Sequence, residues 1–227
     1  MKKYTFLVSI FFFIYFLNSS AQESNALETI NKVKVSSGIL MEIERSENYS
    51  LSINSSEPDT SCLVKTIENG ILTLKISNIL SCEGQVTARL SCPYLKEIEI
   101  SGNAEVSTFN VIKGDSLKII QRSRGKSNLD LDVDFLEVNL SEGSILTANG
   151  YADKQVVNVT TEATFSAFEL ESEQTDIQAS LGGKGKVCAT DKLKALSKIG
   201  GYISYTCEPA TAEIEKKGNG VIEKLSE

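Results

Sequence analysis

The sequence predicts an all-β fold, a parallel β-solenoid, on three observations: a short unit that recurs, bends of small residues, and alternating polarity between them. The units open with SGNAEV at Ser101, SRGKSNL at Ser123, SEGSIL at Ser141, TEATFSA at Thr161, LGGKGKV at Leu181, IGGYISY at Ile199 and KGNGVIE at Lys217. Aligning the first strand residue after each turn gives Val106, Ser127, Ile145, Phe165, Val187, Ile203 and Ile222, a repeat near 20 residues. A strand-and-turn repeat of that length marks stacked rungs. Rungs sit about 4.8 Å apart, so a stacked bend has room only for small side chains. It often needs φ > 0, which Gly and Asn tolerate.

Between the bends the period is two. Leu129, Leu131 and Val133 alternate with Asp130, Asp132 and Asp134, and Leu136, Val138 and Leu140 alternate with Glu137 and Asn139. Val157 and Val159 flank Asn158, and Ile177 and Ala179 flank Gln178. Alternation of this kind turns one face of each strand inward.

Residues 1–21 read as a signal peptide. Lys2 and Lys3 form a basic start, Phe6 to Leu17 an apolar core, and Ser19-Ser20-Ala21 a cleavage site after Ala21. The apolar run is shorter than the roughly 20 residues of a membrane span. Beyond it no stretch is long and apolar enough for an integral membrane segment, so the expected product is exported, to the periplasm or the cell surface. Without Lys2 and Lys3, 21 basic residues face 30 acidic ones, a net charge of −9. That balance disfavours nucleic acid as a partner.

Residues 22–32 read as a flexible leader and residues 33–227 as one domain. Within it, 33–93 form an antiparallel β cap with the first rungs, and 94–227 the repeated rungs. In the cap, VKVSSGILMEIE has two strands about a Ser-Gly turn, and Asn69-Gly70 between two alternating runs is a hairpin signal. Pro93 closes this part, because it cannot donate to a ladder.

The series SGNAEV, SEGSIL, GGKGKV and GNGVIE, with SSGILMEIE and CPYLKEIEISG upstream and ISYTCEP late in the chain, resembles the GIN-domain family (DUF2807) of auto-transporter adhesin head domains. The resemblance runs from about Val33 to Leu225. It implies a right-handed, single-stranded parallel β-helix, an envelope or surface role in Bacteroidetes, and no established enzymatic activity. The chain departs from the family's Ser-Gly-Ser-Gly turns at Thr161–Phe165 and at SGNAE (Ser101–Glu105), and Cys207 stands where the family usually has Gly.

No His occurs in the chain, which removes Ser-His-Asp and Cys-His catalysis and His metal sites. Carboxylate chemistry is left, and Asp130, Asp132 and Asp134 beside Arg122, Arg124 and Lys126 are its best candidates. Same-face residues lie nearly 7 Å apart on a strand, which suits a solvated acidic ladder better than a calcium cage. Those aspartates are therefore a weak calcium candidate, and no cofactor is expected. The five cysteines suggest one bridge among Cys62, Cys82 and Cys92 and another between Cys188 and Cys207, with one thiol left over. Lys184, Lys186, Lys192, Lys194 and Lys198 make a basic patch. Lys192, Lys194, Tyr202 and Tyr205 are its binding candidates, for a glycan or an envelope or host protein.

With no convergent catalytic set, the expected function is a non-enzymatic exported binding module, adhesin-like. The alternatives are an envelope assembly or stress-response component with a protein partner, and a β-helix carbohydrate-active enzyme.

Overall fold

A computed structural model describes residues 30–56, 62–77 and 84–225. The predicted signal peptide lies outside them. The ordered fold begins before the predicted domain start, since Ile30 is fully buried in the core. Asn31 accepts backbone hydrogen bonds from Lys96 and donates to Gly70, so residues 30–32 are part of the body rather than of a leader.

The first strands are β1 (Lys32–Val35), β2 (Leu40–Arg45), β3 (Ser50–Ser55), β4 (Leu63–Glu68), β5 (Ile71–Ile76) and β6 (Val86–Cys92). Then come β7 (Glu97–Ile100), β8 (Glu105–Thr108) and β9 (Ile112–Gln121). Four long strands follow, β10 (Lys126–Leu140), β11 (Ile145–Val159), β12 (Thr164–Ala179) and β13 (Lys184–Lys198). The chain closes with β14 (Tyr202–Tyr205), β15 (Thr211–Lys217) and β16 (Val221–Lys224). No helix occurs among the described residues, and all sixteen strands belong to one continuous sheet. The fold is the expected parallel solenoid.

Its register corrects two positions of the sequence alignment. The stacked inward column is Val106, Ser127, Leu146, Phe165, Gly185, Ile203 and Ile222, with steps of 18 to 21 residues. Leu146 is inward in place of the exposed Ile145, and Gly185 in place of Val187. Two apolar neighbours made the first assignment ambiguous. Gly185 breaks the hydrophobic column because a Cβ there would meet Ile177 Cδ1 at 2.5 Å.

The fully described rung corners from Ser37-Gly38 through Ile199-Gly200 hold two consecutive left-handed residues, and the last corner holds one, Gly218. Gly102 and Asn103 have φ of 58° and 60°, and Ala104 N–H closes the turn onto Ser101 O at 3.1 Å, the pattern of a type I′ turn. Ser123–Arg124 and Thr161–Glu162 take the same conformation without any Gly, at a cost of about 1–2 kcal/mol per residue. The stack offsets it, because each corner amide bonds to the corner above. Asn103 N–H donates to Ser123 O, Arg124 N–H to Glu142 O and Glu162 N–H to Leu181 O, all at 3.0–3.1 Å. The long strands bend once more, where the ladder skips Asp134 and Asp153.

The amino-terminal part departs from sequence order. β1 pairs with both β5 and β7, and β2 with both β6 and β8, all parallel. The β1–β2 rung is therefore wedged between the β5–β6 and β7–β8 rungs. Among the described residues two strands pair antiparallel, β4 on β5 across Asn69-Gly70 and β3 on β6. These two form the cap; the remaining strands of 33–93 are rungs.

The interior is a continuous apolar column in which Leu129, Leu131, Leu136, Val138, Phe165 and Ile177 have no solvent exposure. Each such side chain contributes roughly 1.5–3 kcal/mol of burial. At the other end β15 pairs only with β13, and β16 only with β14, among the described residues. The core is open there. Ile214 is 42 % exposed, whereas Ala195 beneath it is 1 % exposed.

The structure joins Cys188 to Cys207, with Cα atoms 4.8 Å apart, which fastens the β14–β15 connection to β13. Closing a loop of 19 residues contributes about 3 kcal/mol in the chain-entropy account. Cys62 is disulfide-bonded, and Cys82 lies outside the described residues. Cys92 is a buried free thiol at the end of β6, enclosed in the core where no second sulfur reaches it. It drops out of the candidates for the first bridge.

Candidate functional site

The outward side chains over most of the solenoid pair with one another from rung to rung. Lys34 reaches Glu99 at 2.8 Å, and Arg122 reaches the same carboxylate from the next rung at 2.5 Å. Lys118 donates to Glu137 at 2.7 Å, Asn139 donates to that carboxylate at 2.9 Å, and Asn158 donates to Asn139 at 3.2 Å. The hydrogen bond from Lys118 draws the Glu137 carboxyl below its ordinary range, and Glu137 raises Lys118 in turn. These pairs are half-exposed, so each adds at most about 1 kcal/mol. Their main effect is to leave the outer ladders self-satisfied.

The sequence-derived candidates fall into such ladders. Asn149 donates to Asp130 at 3.0 Å, Lys113 is paired with Asp132, and Asp134 points to solvent at the strand bend. The three aspartates are not brought together, and no metal-holding group of acidic or cysteine side chains occurs among the described residues. Lys192 pairs with Glu213 at 3.1 Å and Lys194 with Asp176 at 3.4 Å. Tyr202 donates to Glu223, which raises the phenol's pKa, and Tyr205 packs partly buried against the core. Tyr202 and Tyr205 stack over Lys184 and Val187, before the irregular stretch of β13, whereas Lys192 and Lys194 lie beyond it. The strand's change of direction separates the tyrosines from the lysines, so the proposed lysine–tyrosine patch does not assemble.

A different region is concave. The outer face of β3, β6, β2, β8, β10 and β11 encloses an open groove of about 810 Å³. Two side-chain rows run across its strands. One row is Leu40, Glu105, Lys126 and Ile145; the other is Glu42, Ser107, Asn128 and Thr147. The charges cancel in pairs, as Lys126 donates to Glu105 at 2.9 Å and Arg89 Nε to Glu42 at 2.6 Å. The Arg89 guanidinium also lies 4.9 Å from the ring centroid of the exposed Phe109. Ser107, Asn128 and Thr147 have no side-chain hydrogen bond to any described residue. The groove is therefore neutral, lined with free donors and acceptors, and edged by aliphatic surface.

Sequence reasoning missed it. Its residues come from six strands spread over more than ninety positions, and each row is legible only once the β1–β2 rung is seen to sit between β6 and β8. The hydroxyl and amide steps at Ser107, Asn128 and Thr147, 21 and 19 residues apart, were the available signal.

Fold and groove together define a parallel β-solenoid with an open surface cleft in place of an enclosed pocket. The chain belongs to the family described as putative auto-transporter adhesin, head GIN domain (DUF2807), whose profile matches residues 29–209. Among solved structures it is similar to a putative adhesin from Bacteroides fragilis at 18 % identity, with a TM-score of 0.76 over 86 % of this chain and 92 % of that one. A putative adhesin from Parabacteroides merdae has 20 % identity and a TM-score of 0.68 over the same shares. A putative lipid binding protein from Parabacteroides distasonis has 20 % identity and a TM-score of 0.66, again over 86 % and 92 %. At these identities the likeness is one of fold. No curated protein matches the chain significantly.

Proposed function

We propose that this protein is a non-enzymatic, adhesin-like binding module, exported through residues 1–21 and acting in the cell envelope or at the surface. One observation carries the reading: the outer ladders pair with one another over most of the solenoid, and the concave groove presents Ser107, Asn128 and Thr147 as an in-register row of polar groups that is left free. Rigid β-strands hold that row in place, which lowers the entropic cost of binding. The family and the neighbouring folds, named as adhesins, support the same role. The chain has no His, and the two carboxylates in the groove, Glu42 and Glu105, are each tied to a cation, Arg89 and Lys126, an arrangement that supports binding over acid–base chemistry.

The test is a binding screen of the exported protein against a glycan array and host matrix proteins, beside a pull-down from its own envelope. Saturable binding to any of these supports the reading. Turnover of a glycan with no stable complex would replace it with the enzymatic alternative. A second reading, an envelope assembly component, is favoured by the open edges of β15 and β16. Unpaired strands are ready templates for another chain, and a single stoichiometric envelope protein bound at that end would select this reading.

A further inference from the structure

We propose that the groove binds an extended, uncharged glycan whose axis runs across the strands, parallel to the solenoid axis. This rests on the binding-module reading above and names the ligand class and its site.

Periodicity is the first argument. Ser107, Asn128 and Thr147 stand in register on three successive rungs, so their free groups repeat at about 4.8 Å. That is close to the length of one pyranose unit in an equatorially linked chain, so each successive sugar would meet one donor or acceptor of the row, alternating which ring edge it presents. Six strands span about 24 Å, room for four or five such units. A peptide laid across the strands has a shorter residue repeat, of about 3.3 Å, and falls out of step with the rungs.

Charge is the second. Glu42 is neutralised by Arg89 and Glu105 by Lys126 within the groove, and the whole chain carries −7. A polyanionic glycan would have to break these pairs and approach an acidic molecule. An uncharged one leaves them intact, and their outer atoms still accept or donate to hydroxyls.

Amphipathicity is the third. Sugars present hydroxyls at the ring edge and C–H groups on the ring faces. Leu40 and the 44 %-exposed Ile145 flank the polar row on one side, and the exposed Phe109 stands beside Arg89. Polar row and apolar margin together match that division.

The experiment titrates the exported protein with uncharged hexasaccharides (cello-, xylo-, manno- and laminarihexaose), with an oligogalacturonate as the acidic comparison, by calorimetry and by NMR shift mapping. Saturable binding of at least one uncharged chain is expected, changing less than about twofold between low and high salt because no net charge is neutralised. Asn128→Ala and Thr147→Val each remove one neutral hydrogen bond and are expected to weaken binding about fivefold. Lys192→Ala, on a distant ladder, is expected to leave it unchanged. Unaltered thermal unfolding shows that the two groove variants are folded, and shifts confined to the groove strands β2, β3, β6, β8, β10 and β11 locate the ligand independently of them. A blank for all uncharged chains, together with capture of the oligogalacturonate or an envelope protein, overturns this inference while the binding-module reading stands. Binding of an uncharged chain that ignores both groove variants and maps elsewhere overturns the site. No binding to any glycan, matrix or envelope component overturns both.

Discussion

Gly150 shows how closely successive backbones pass. It has φ of +107°, and a Cβ there would lie 2.1 Å from Leu131 O on the neighbouring rung. No side chain is at the fault, only backbone, so relief requires the two rungs to part. Gly150→Ala is expected to destabilise the protein by about 2–4 kcal/mol, seen as a lowered denaturation midpoint with an unchanged m-value. Cys92 makes a second case. Burial pushes its thiol up to about 12 from an ordinary 9.0. Between those values the unfolded chain releases a proton that the native state keeps, so stability falls as pH rises from about 9 towards 12. Cys92→Ala is expected to flatten that part of the pH–stability curve relative to the parent, and native Cys92 to resist iodoacetamide until denaturant is added. Labelling at the native rate of a free thiol would contradict the burial. Neither the positive φ of Gly150 nor the burial of Cys92 is legible from the residue type. Both depend on what the neighbouring rung brings near.

At the level of elements, the two ends of the solenoid are guarded by different means. The amino-terminal end uses antiparallel strands, β3 and β4, and the Asn69-Gly70 turn that makes β4–β5 a hairpin was plain in the sequence. The carboxy-terminal end uses charge. Lys216 on β15 stands in register with Ser197, Ala179 and Val159, the inward column, where an apolar residue would complete a sticky edge. An inward-pointing charge on an edge strand is a known guard against edge-to-edge pairing. Lys216→Val is therefore expected to promote self-association, read as a concentration-dependent mass increase in sedimentation or light scattering. A variant that stays monomeric would show that the guard lies elsewhere. The period of two identified β10 to β13 because each alternates on either side of its bend. It misplaced the register at Ile145 because the adjacent Leu146 is equally apolar, and at Val187 because the inward Gly185 carries no hydrophobic signal.

For the whole molecule, the order of the rungs in space matters more than their order in the chain. In a simple solenoid each rung touches only its neighbours, and terminal units can be lost with graded effect. Here the first rung in sequence is internal. Removing residues through Arg45 would take β1 and β2 from between two other rungs and leave facing ladders unpaired. That deletion is expected to abolish cooperative folding, whereas ending the chain after Lys217, which removes β16, is expected to lower the melting temperature and keep the strand signature. Circular dichroism and amide NMR dispersion distinguish the two. A folded product of the first deletion would show that the β5–β6 and β7–β8 rungs can close up.

By itself the sequence determined the class of fold, the length of the rung and the inward-facing residues of β10 and of the later halves of β11 and β12. Period-two alternation and left-handed corners are local properties, written in adjacent residues. The tertiary structure alone decided the wedged first rung, the pairing of the outer ladders and the groove. Each of these depends on which residues meet across a gap of one strand spacing, and the chain brings those residues from positions tens of residues apart.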